Sequence, residues 1–413
     1  MSATRAVPLR TAEPDQIVPR RDELLARVPE LAAAIKVGAS ERERSGELPH
    51  ASFALFRRSG LGALRIPLRR GGPGGGIADL IEVIATLAAG DPNVAHALRS
   101  HYNFTEQQAL AGDAAQAEAH LDHILGGAIF AGASTELGTA KPGQLTTRLR
   151  RADGELRLTG RKYYATGTAF ADYASISALD DDDNAVTVLI PTDRPGLTVH
   201  DDWDGMGQRL TASGSVDLVD VPVRANEVGR REWGELIGRH CSALRQLHLA
   251  AVAAGITRNV AEDAADYVRR HARAALHSSA ETAAEDPFVQ QALGEITALS
   301  FAVNAIIADA AAALDRSVAA IETGAADADD TVIAAALAVA RAQVSAYPLA
   351  LQAAELLFEV GGASTTARRY NFDRHWRNIR TLMTHNPLRQ KARVVGDFVA
   401  TGATTHLRAG RVF

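Results

Sequence analysis

The sequence of 413 residues lacks the features that mark several large classes of protein. Cys241 is its one cysteine, so the chain can form neither an internal disulfide nor a cysteine-built metal site, and it suits a reducing compartment. The net charge of −5 and the lack of a Lys/Arg-rich tract with interleaved aromatic residues argue against nucleic acid or a membrane surface as partner. No uninterrupted apolar run approaches the ~20 residues of a membrane span, and none near Met1 has signal-peptide length. We therefore expect a folded, cytoplasmic protein.

Common catalytic motifs are also missing. The glycine cluster at residues 69–76 matches neither G-x-G-x-x-G nor G-x-x-x-x-G-K-[ST], so it is interpreted as a turn leading into a helix at Ile77. No G-x-S-x-G or H-E-x-x-H is present. His120 and His123 have only Asp122 beside them, which favours a solvated helix face over a metal site. Catalysis would therefore need a bound organic cofactor or none.

The periodicity of apolar residues divides the chain into three domains. Residues 1–127 repeat apolar positions at three and four spacing and predict helices. Residues 128–229 alternate apolar and polar positions around turn signals, as in "QLTTRLRRADGELRLTG", and predict a β domain. Residues 230–413 return to long helical patterns. The predicted order is helical, β, helical.

Three segments of the β domain are unusual. In "GRKYYATG", strand alternation places Lys162, Tyr164 and Thr166 on one face. "FAGASTELG" offers small residues and hydroxyls that let a flat ligand approach the backbone, and Trp203 precedes a glycine-containing loop. Singly, these are a strand edge, a turn and a tryptophan that fills a domain junction. Together they describe a platform for an aromatic ring system.

The segment "DRHWRNIRTLMTHNPLR", residues 373–389, differs from the alanine-rich helices before it. Arg374, Arg377 and Arg380 recur at a spacing of three and are assigned structural roles, as a salt-bridged face with Asp373. On residue chemistry alone, His385 is a helix-end histidine satisfied by backbone carbonyls.

This combination resembles the acyl-CoA dehydrogenase superfamily, which has a helical amino-terminal domain, a central β-barrel domain and a carboxy-terminal four-helix bundle. "FAGASTELG" is similar to its flavin-contacting segment, and "EVGGAS" is similar to the loop that reaches the flavin of a neighbouring subunit. "RRHARAAL" resembles the segment whose arginine, here Arg273, meets the neighbour's flavin phosphate. The resemblance implies a homotetramer.

The segment at residues 373–389 distinguishes two branches of that superfamily. Where the short- and medium-chain dehydrogenases carry a glutamate base, this sequence has Asn386, which cannot accept a proton at neutral pH. "FDRHWRNIRTLMTHNP", "DWDGMGQRLTASGS" and "LFEVGGAS" are instead similar to the flavin-dependent monooxygenase branch that includes dibenzothiophene monooxygenase. That resemblance implies reduced FMN supplied by a separate NAD(P)H:flavin reductase, and a flavin hydroperoxide that oxygenates a sulfur or nitrogen atom of a small molecule. FAD is the less favoured cofactor.

The resemblance also implies roles for individual residues. His385 matches the active-site histidine, Thr166 matches a hydroxyl residue at the reactive edge of the flavin, and His101 matches a histidine facing the pocket. On this basis His385 can hold a proton beside the reacting oxygen, and Thr166 can donate a hydrogen bond. Tyr102 and Asn386 are placed at the substrate pocket. The implied cofactor-binding residues are Phe130, Gly132, Ala133, Ser134, Tyr164, Thr166, Trp203, Arg273, Gly361, Gly362 and Ser364.

Two departures from the branch bear on the substrate. Relatives that act on dibenzothiophene have a second histidine where this chain has Leu382, and an asparagine where it has Gly132, so an aromatic sulfur substrate is not implied. Two other functions stay open at this point. One is an FAD-dependent acyl-CoA dehydrogenase whose carboxylate base lies elsewhere, and the other is a flavin-binding protein without turnover.

Overall fold

A computed structural model describes residues 19–111, 115–141, 143–152, 154–230 and 234–410. The first part of the chain is helical, as predicted. α5 begins at Ile77 after the glycine cluster and buries most of its residues. The first eight helices are α1 Arg21–Ala26, α2 Val28–Lys36, α3 Ala39–Ser45, α4 His50–Ser59, α5 Ile77–Gly90, α6 Pro92–Ala97, α7 Arg99–Leu110 and α8 Ala115–Leu125.

The middle of the chain forms one sheet of eight strands with the order β6-β7-β3-β2-β4-β5-β8, and β1 pairs in parallel with β4. Alternate residues of the strands point into a separate apolar core. The strands are β1 Phe130–Ala133, β2 Arg148–Ala152, β3 Glu155–Lys162, β4 Tyr173–Leu179, β5 Ala185–Pro191, β6 Leu197–Val199, β7 Val216–Val223 and β8 Val228–Arg230.

The last part of the chain is a helical bundle, so the predicted order of helical, β and helical parts is confirmed. Asp286 caps the second long helix by accepting from the backbone N–H of Phe288 at 2.9 Å. The helices are α9 Leu236–Arg270, α10 Pro287–Thr323, α11 Ala328–Leu356, α12 Asp373–Thr384, α13 Leu388–Thr401 and α14 Thr405–Arg408.

One continuous apolar core joins the amino-terminal helices to the bundle. α9 is its centre, because it packs against α5, α10 and α11 and is buried through most of its length. The closest approach is at Gly255, where a Cβ would collide with the carbonyl oxygen of Ala85 on α5. A glycine is needed there for the two backbones to pack this closely.

Two bundle segments, Pro287–Thr323 and Ala328–Val360, are long and apolar enough to cross a membrane by length and composition alone. The sequence expectation of no membrane-spanning segment was based on uninterrupted runs of apolar residues. Alanine-rich helices reach a high mean hydropathy even though polar residues interrupt them. Both segments pack within the helical bundle of this chain. Core helices of folded domains have the same composition.

Candidate active site

The loop between β6 and β7 meets helices from both helical parts of the chain. We call residues 203–213 the junction loop. The backbone N–H of Gln208 donates to Asn378 Oδ1 at 2.6 Å, and that of Leu210 donates to Asn93 Oδ1 at 3.1 Å. Both asparagines are buried, so these bonds are protected from water. The junction loop is therefore held between α6 and α12. The α12 contact comes from the unusual segment at residues 373–389.

A chain of hydroxyl groups connects Thr166 to the junction loop. Thr166 Oγ1 lies 2.7 Å from Ser213 Oγ, which lies 2.6 Å from Thr211 Oγ1. Thr211 donates its proton to the carbonyl oxygen of Gln208 at 2.9 Å, and Trp203 Nε1 donates to the same oxygen at 2.9 Å. Each hydroxyl has one proton, so Ser213 must donate to Thr211 and Thr166 must donate to Ser213. Thr166 is left as an acceptor, whereas the sequence prediction made it a donor.

The predicted strand alternation around Tyr164 is wrong. β3 ends at Lys162, and Tyr164 has a left-handed backbone with φ of 56°. The turn buries Lys162 and Thr166 but leaves Tyr164 about half exposed, with its ring edge-on to Trp203 at 5.9 Å between centroids. A left-handed tyrosine is uncommon and is held by its surroundings. The turn therefore leaves the rings of Tyr164 and Trp203 partly uncovered beside the hydroxyl chain, and we call this pair of rings the aromatic corner.

His385 follows the end of α12 and contacts an arginine from the first helical part. Arg99 Nη2 lies 3.0 Å from His385 Nε2, and His385 Nδ1 lies 2.6 Å from Asn386 Oδ1. A guanidinium can only donate, so Nε2 accepts and the ring proton is on Nδ1, from which it is donated to Asn386. This arrangement requires a neutral imidazole. It differs from the predicted role, in which His385 itself carries the transferable proton.

The surroundings of His385 also favour the neutral ring. Desolvation by the surrounding protein, followed by the charge of Arg99, lowers the pKa of His385 below its usual value. The side chain is nevertheless exposed at the surface of the single chain, where solvent weakens both effects. His385 is therefore a neutral group at the rim of a partly desolvated site.

A second histidine, which the sequence analysis missed, lies between the junction loop and His385. His96 on α6 is buried and donates from Nδ1 to Gln208 Oε1 at 3.0 Å. Its Nε2 and the Nε2 amide of Gln208 are buried with no hydrogen-bond partner among the described residues. Desolvation, then the charge of Arg99, keep the pKa of His96 well below its usual value. Two unsatisfied polar atoms in one place indicate a ligand.

His101 and Tyr102, by contrast, are both tied to backbone groups. His101 donates from Nε2 to the carbonyl oxygen of Gly62 at 3.0 Å and accepts the backbone N–H of Phe130 at Nδ1, 3.3 Å away. Tyr102 donates to the carbonyl oxygen of Leu61 at 3.0 Å. Both side chains are fully buried, and burial lowers the pKa of His101 to about 4. This geometry favours a structural role, in which α7 is fastened to β1 and to the turn after α4.

The predicted flavin residues of β1 lie at the join between the β domain and α7. Phe130 and Ala133 have buried side chains, so any contact that they make with a cofactor must come from their backbone. A Cβ at Gly132 would lie 3.3 Å from Ser100 Oγ, which shows how closely the strand approaches α7. Ser134 accepts a hydrogen bond from Ser177 at 2.9 Å.

The remaining predicted flavin residues form a separate group on the bundle. Arg273 is exposed in the segment after α9. Ser364 Oγ lies 2.5 Å from the hydroxyl of Tyr267 near the end of α9, and Gly361 packs against the same ring. Gly362 is exposed and has a left-handed backbone. No described contact joins this group to the junction loop within one chain.

The residues at the junction fit a flavin. Tyr164 and Trp203 offer an uncovered aromatic corner, Thr166 offers a buried acceptor oxygen, and His96 and Gln208 have unsatisfied polar atoms. A planar ring with N–H and carbonyl edges needs such a combination of apolar faces and placed polar groups. Within the described residues, no group of three or more His, Cys, Asp or Glu side chains could hold a metal ion.

Comparisons with known proteins identify the family of the chain. The family model for the middle domain of acyl-CoA dehydrogenases matches residues 131–221, and the model for their C-terminal domain matches residues 247–390. A probable FMNH2-dependent monooxygenase of Pseudomonas putida is 31% identical over 380 residues, which cover 91% of this chain and 94% of that protein.

Solved structures give the same result. FMN-bound TdsC from Paenibacillus sp. A11-2 superposes with a TM-score of 0.83 at 29% identity and covers 92% of this chain and 98% of its own. Methanesulfinate monooxygenase MsuC from Pseudomonas fluorescens superposes with a TM-score of 0.83 at 28% identity, over 92% of this chain and 97% of its own. Fold and site thus define a flavin-dependent oxidoreductase. The chain belongs to the acyl-CoA dehydrogenase superfamily, in its branch of FMN-dependent monooxygenases.

Proposed function

We propose that this chain is the oxygenase of a two-component system, which uses reduced FMN and dioxygen to oxygenate the sulfur atom of a small organic compound. The observation that carries the proposal is the neutral His385, held between Arg99 and Asn386 beside the junction loop. An acyl-CoA dehydrogenase needs a carboxylate at its reacting carbon, and among the described residues no carboxylate contacts His385. Sulfur is favoured over nitrogen because MsuC, a structural neighbour, acts on a sulfinate.

The side chains at the junction have distinct tasks in this reaction. Tyr164 and Trp203 would flank the flavin ring, and the acceptor oxygen of Thr166 would meet an N–H of the reduced ring. Reduced FMN supplies the electrons with which dioxygen is split, so that one oxygen atom enters the substrate and the other leaves as water. If a ligand engaged Arg99, His385 Nε2 would be free to accept a proton.

The partners and the assembly follow from the same proposal. The electrons would come from a separate NAD(P)H:flavin reductase as free reduced FMN, so the purified chain alone should not oxidise NADH. Arg273, Gly361, Gly362 and Ser364 lie away from the junction, which supports a homotetramer in which a neighbouring subunit completes each flavin site. A cytoplasmic location provides the reductase and the reducing conditions.

The test supplies reduced FMN from an independent reductase, together with 18O-labelled dioxygen, catalase and a panel of small sulfides and sulfinates. We expect product that contains one labelled oxygen atom, and none when the chain is omitted. Catalase removes hydrogen peroxide, so oxidation in free solution cannot produce this result. Bleaching of bound flavin by acyl-CoA without oxygen, with no labelled product, would establish the dehydrogenase instead.

A further inference from the structure

Arg99 is a cation without an acidic partner. Its one hydrogen bond within the described structure is to His385 Nε2, and its Nε is buried with no partner. No carboxylate of the described residues lies within ion-pair distance of it. Other arginines near the junction are neutralised; for example, Arg377 contacts Glu43 at 2.5 Å.

The unpaired charge of Arg99 affects the pKa values of the groups around it. Desolvation lowers the pKa of Arg99 itself to about 10, an effect that the nearby Tyr347 hydroxyl opposes and that no carboxylate of the described residues offsets. Burial first, and then the charge of Arg99, also hold the pKa values of His96 and His248 far below the usual value. Arg99 is partly buried in the single chain, and a charge withdrawn from water is normally paired. An unpaired cation at a candidate site favours a ligand that carries the opposite charge.

The position of Arg99 indicates the substrate, not the flavin. It is the first residue of α7, and its interactions are with His385, Tyr347 and the nearby histidines, all from the helical parts of the chain. The aromatic corner and the hydroxyl chain that fit the flavin ring belong to the β domain. The charges of Lys391 and Arg245 also act on His385 from the bundle side. The positive groups that act on His385 therefore all come from the helical parts of the chain.

We propose that Arg99 binds the oxyanion of an anionic substrate, and that this substrate is a small organic sulfinate. The inference rests on the proposed function. The planar guanidinium presents paired N–H groups to the two oxygens of a sulfinate, and His385 remains beside the sulfur. In the resulting reaction the sulfur lone pair forms the new S–O bond and the O–O bond of dioxygen breaks. Sulfinate, dioxygen and reduced FMN then give sulfonate, FMN and water.

The binding test compares methanesulfinate with dimethyl sulfoxide, a neutral molecule that has the same number of non-hydrogen atoms. Acetate reports whether any small oxyanion suffices. Affinities are measured by ligand-observed NMR titration of the full chain with FMN bound, so turnover is not required. We expect wild type to bind methanesulfinate at least about tenfold more tightly than dimethyl sulfoxide, as a charge-assisted hydrogen bond predicts.

Variants of Arg99 then test whether this residue binds the anion. Arg99→Gln should remove the preference for methanesulfinate and leave FMN affinity within about twofold, whereas Arg99→Lys should restore part of the preference. Arg380→Gln is the matched control, because it removes a charge from the nearby α12 at a residue whose one side-chain hydrogen bond among the described residues is to the Met383 sulfur, and it should change nothing. Circular dichroism melting checks the folding of each variant.

Each result decides the proposal. Equal binding of methanesulfinate and dimethyl sulfoxide by wild type, or an unchanged preference in Arg99→Gln, would overturn it. A loss of FMN affinity without a change in preference would assign Arg99 to the cofactor and would also overturn it. Tighter binding of acetate than of methanesulfinate would retain the oxyanion site and overturn the assignment of the sulfinate as its substrate. Anion binding that depends on Arg99, without labelled product in the oxygenation assay, would retain the site and reject the monooxygenase.

Discussion

Thr166 shows how a proton count can assign a role to one side chain. The chain Thr166, Ser213, Thr211 uses every hydroxyl proton internally, so Thr166 can only accept from a ligand. Thr166→Val removes that acceptor and keeps the shape, and we expect kcat to fall by about ten- to a hundredfold, the effect of one buried hydrogen bond. Thr166→Ser keeps the oxygen and should remain within a few fold of wild type. Equal rates for the Val and Ser variants would show that the oxygen has no such role.

The buried histidines predict how stability depends on pH. Burial holds the pKa of His101 at about 4 and that of His248 at about 3, so the unfolded chain binds protons at higher pH than the folded chain does. Stability is therefore present above the unfolded value of about 6.5 and falls as pH decreases below it, by about 2 kcal/mol for each histidine at pH 5.

Thermal melting between pH 7.5 and pH 5 measures this dependence. We expect the melting temperature to fall steadily below pH 6.5, and His248→Gln to make the fall shallower. His50→Gln, at an exposed position, should leave the slope unchanged. A melting temperature that stays constant down to pH 5 would contradict the assignment.

His96 and His101 illustrate what single residues reveal in sequence. Both lie in the string "HALRSH", and the resemblance assigned the catalytic role to His101, whereas the structure places the unsatisfied nitrogen on His96. A usable signal was present. Asp91 and Pro92 mark the start of a helix, and His96 and Arg99, three apart, interrupt an otherwise apolar run. The pairing of His101 with Gly62 and Phe130 depends on tertiary contacts that local sequence does not encode.

Among the structural elements, the junction loop depends most on a single glycine. A Cβ at Gly207 would collide with the carbonyl oxygen of Arg377 on α12. We therefore expect Gly207→Ala to push the loop away from α12, destabilise the chain by about 1–3 kcal/mol and weaken FMN binding at least tenfold. The change can be followed by FMN titration and by the fluorescence of Trp203.

The control for this prediction is Gly396→Ala on α13. A Cβ at Gly396 meets no atom within 4 Å, and alanine favours a helix interior by about 1 kcal/mol over glycine. Gly396→Ala should therefore keep FMN affinity and melt at the same or a higher temperature. If both variants lost FMN alike, contact with α12 would not be what positions the loop.

The elements themselves were largely predictable, and the turns were not. Period 3.6 and period 2 separate the helical parts from the sheet, so the order of the three parts and the helix start at Ile77 follow from local pattern. The predicted alternation through Lys162, Tyr164 and Thr166 was wrong because the strand ends at Lys162. A tyrosine in the sequence also does not predict a left-handed backbone. Tertiary packing on the junction loop sets that turn.

For the whole chain, the two groups of predicted flavin residues are the basis of the proposed homotetramer. Thr166 and Trp203 are linked through the junction loop and His385 contacts Arg99 on α7, while Arg273 and the loop at Gly361 have no described contact with these residues. The bundle also leaves large apolar side chains uncovered, with Phe288 and Phe301 each more than three-quarters exposed. Such exposure on a helical face is typical of a surface that another subunit covers.

Hybrid oligomers test whether one site uses two subunits. Arg273→Ala and His385→Ala should each be inactive as pure proteins. If Arg273 of one subunit completes the site that contains His385 of another, a pair with one chain of each kind has one intact site and one doubly altered site. Random mixing then restores about a quarter of the wild-type sites, measured as labelled product per bound FMN. If both residues served the same site within one subunit, every site would carry one of the two defects, and mixing would restore no activity.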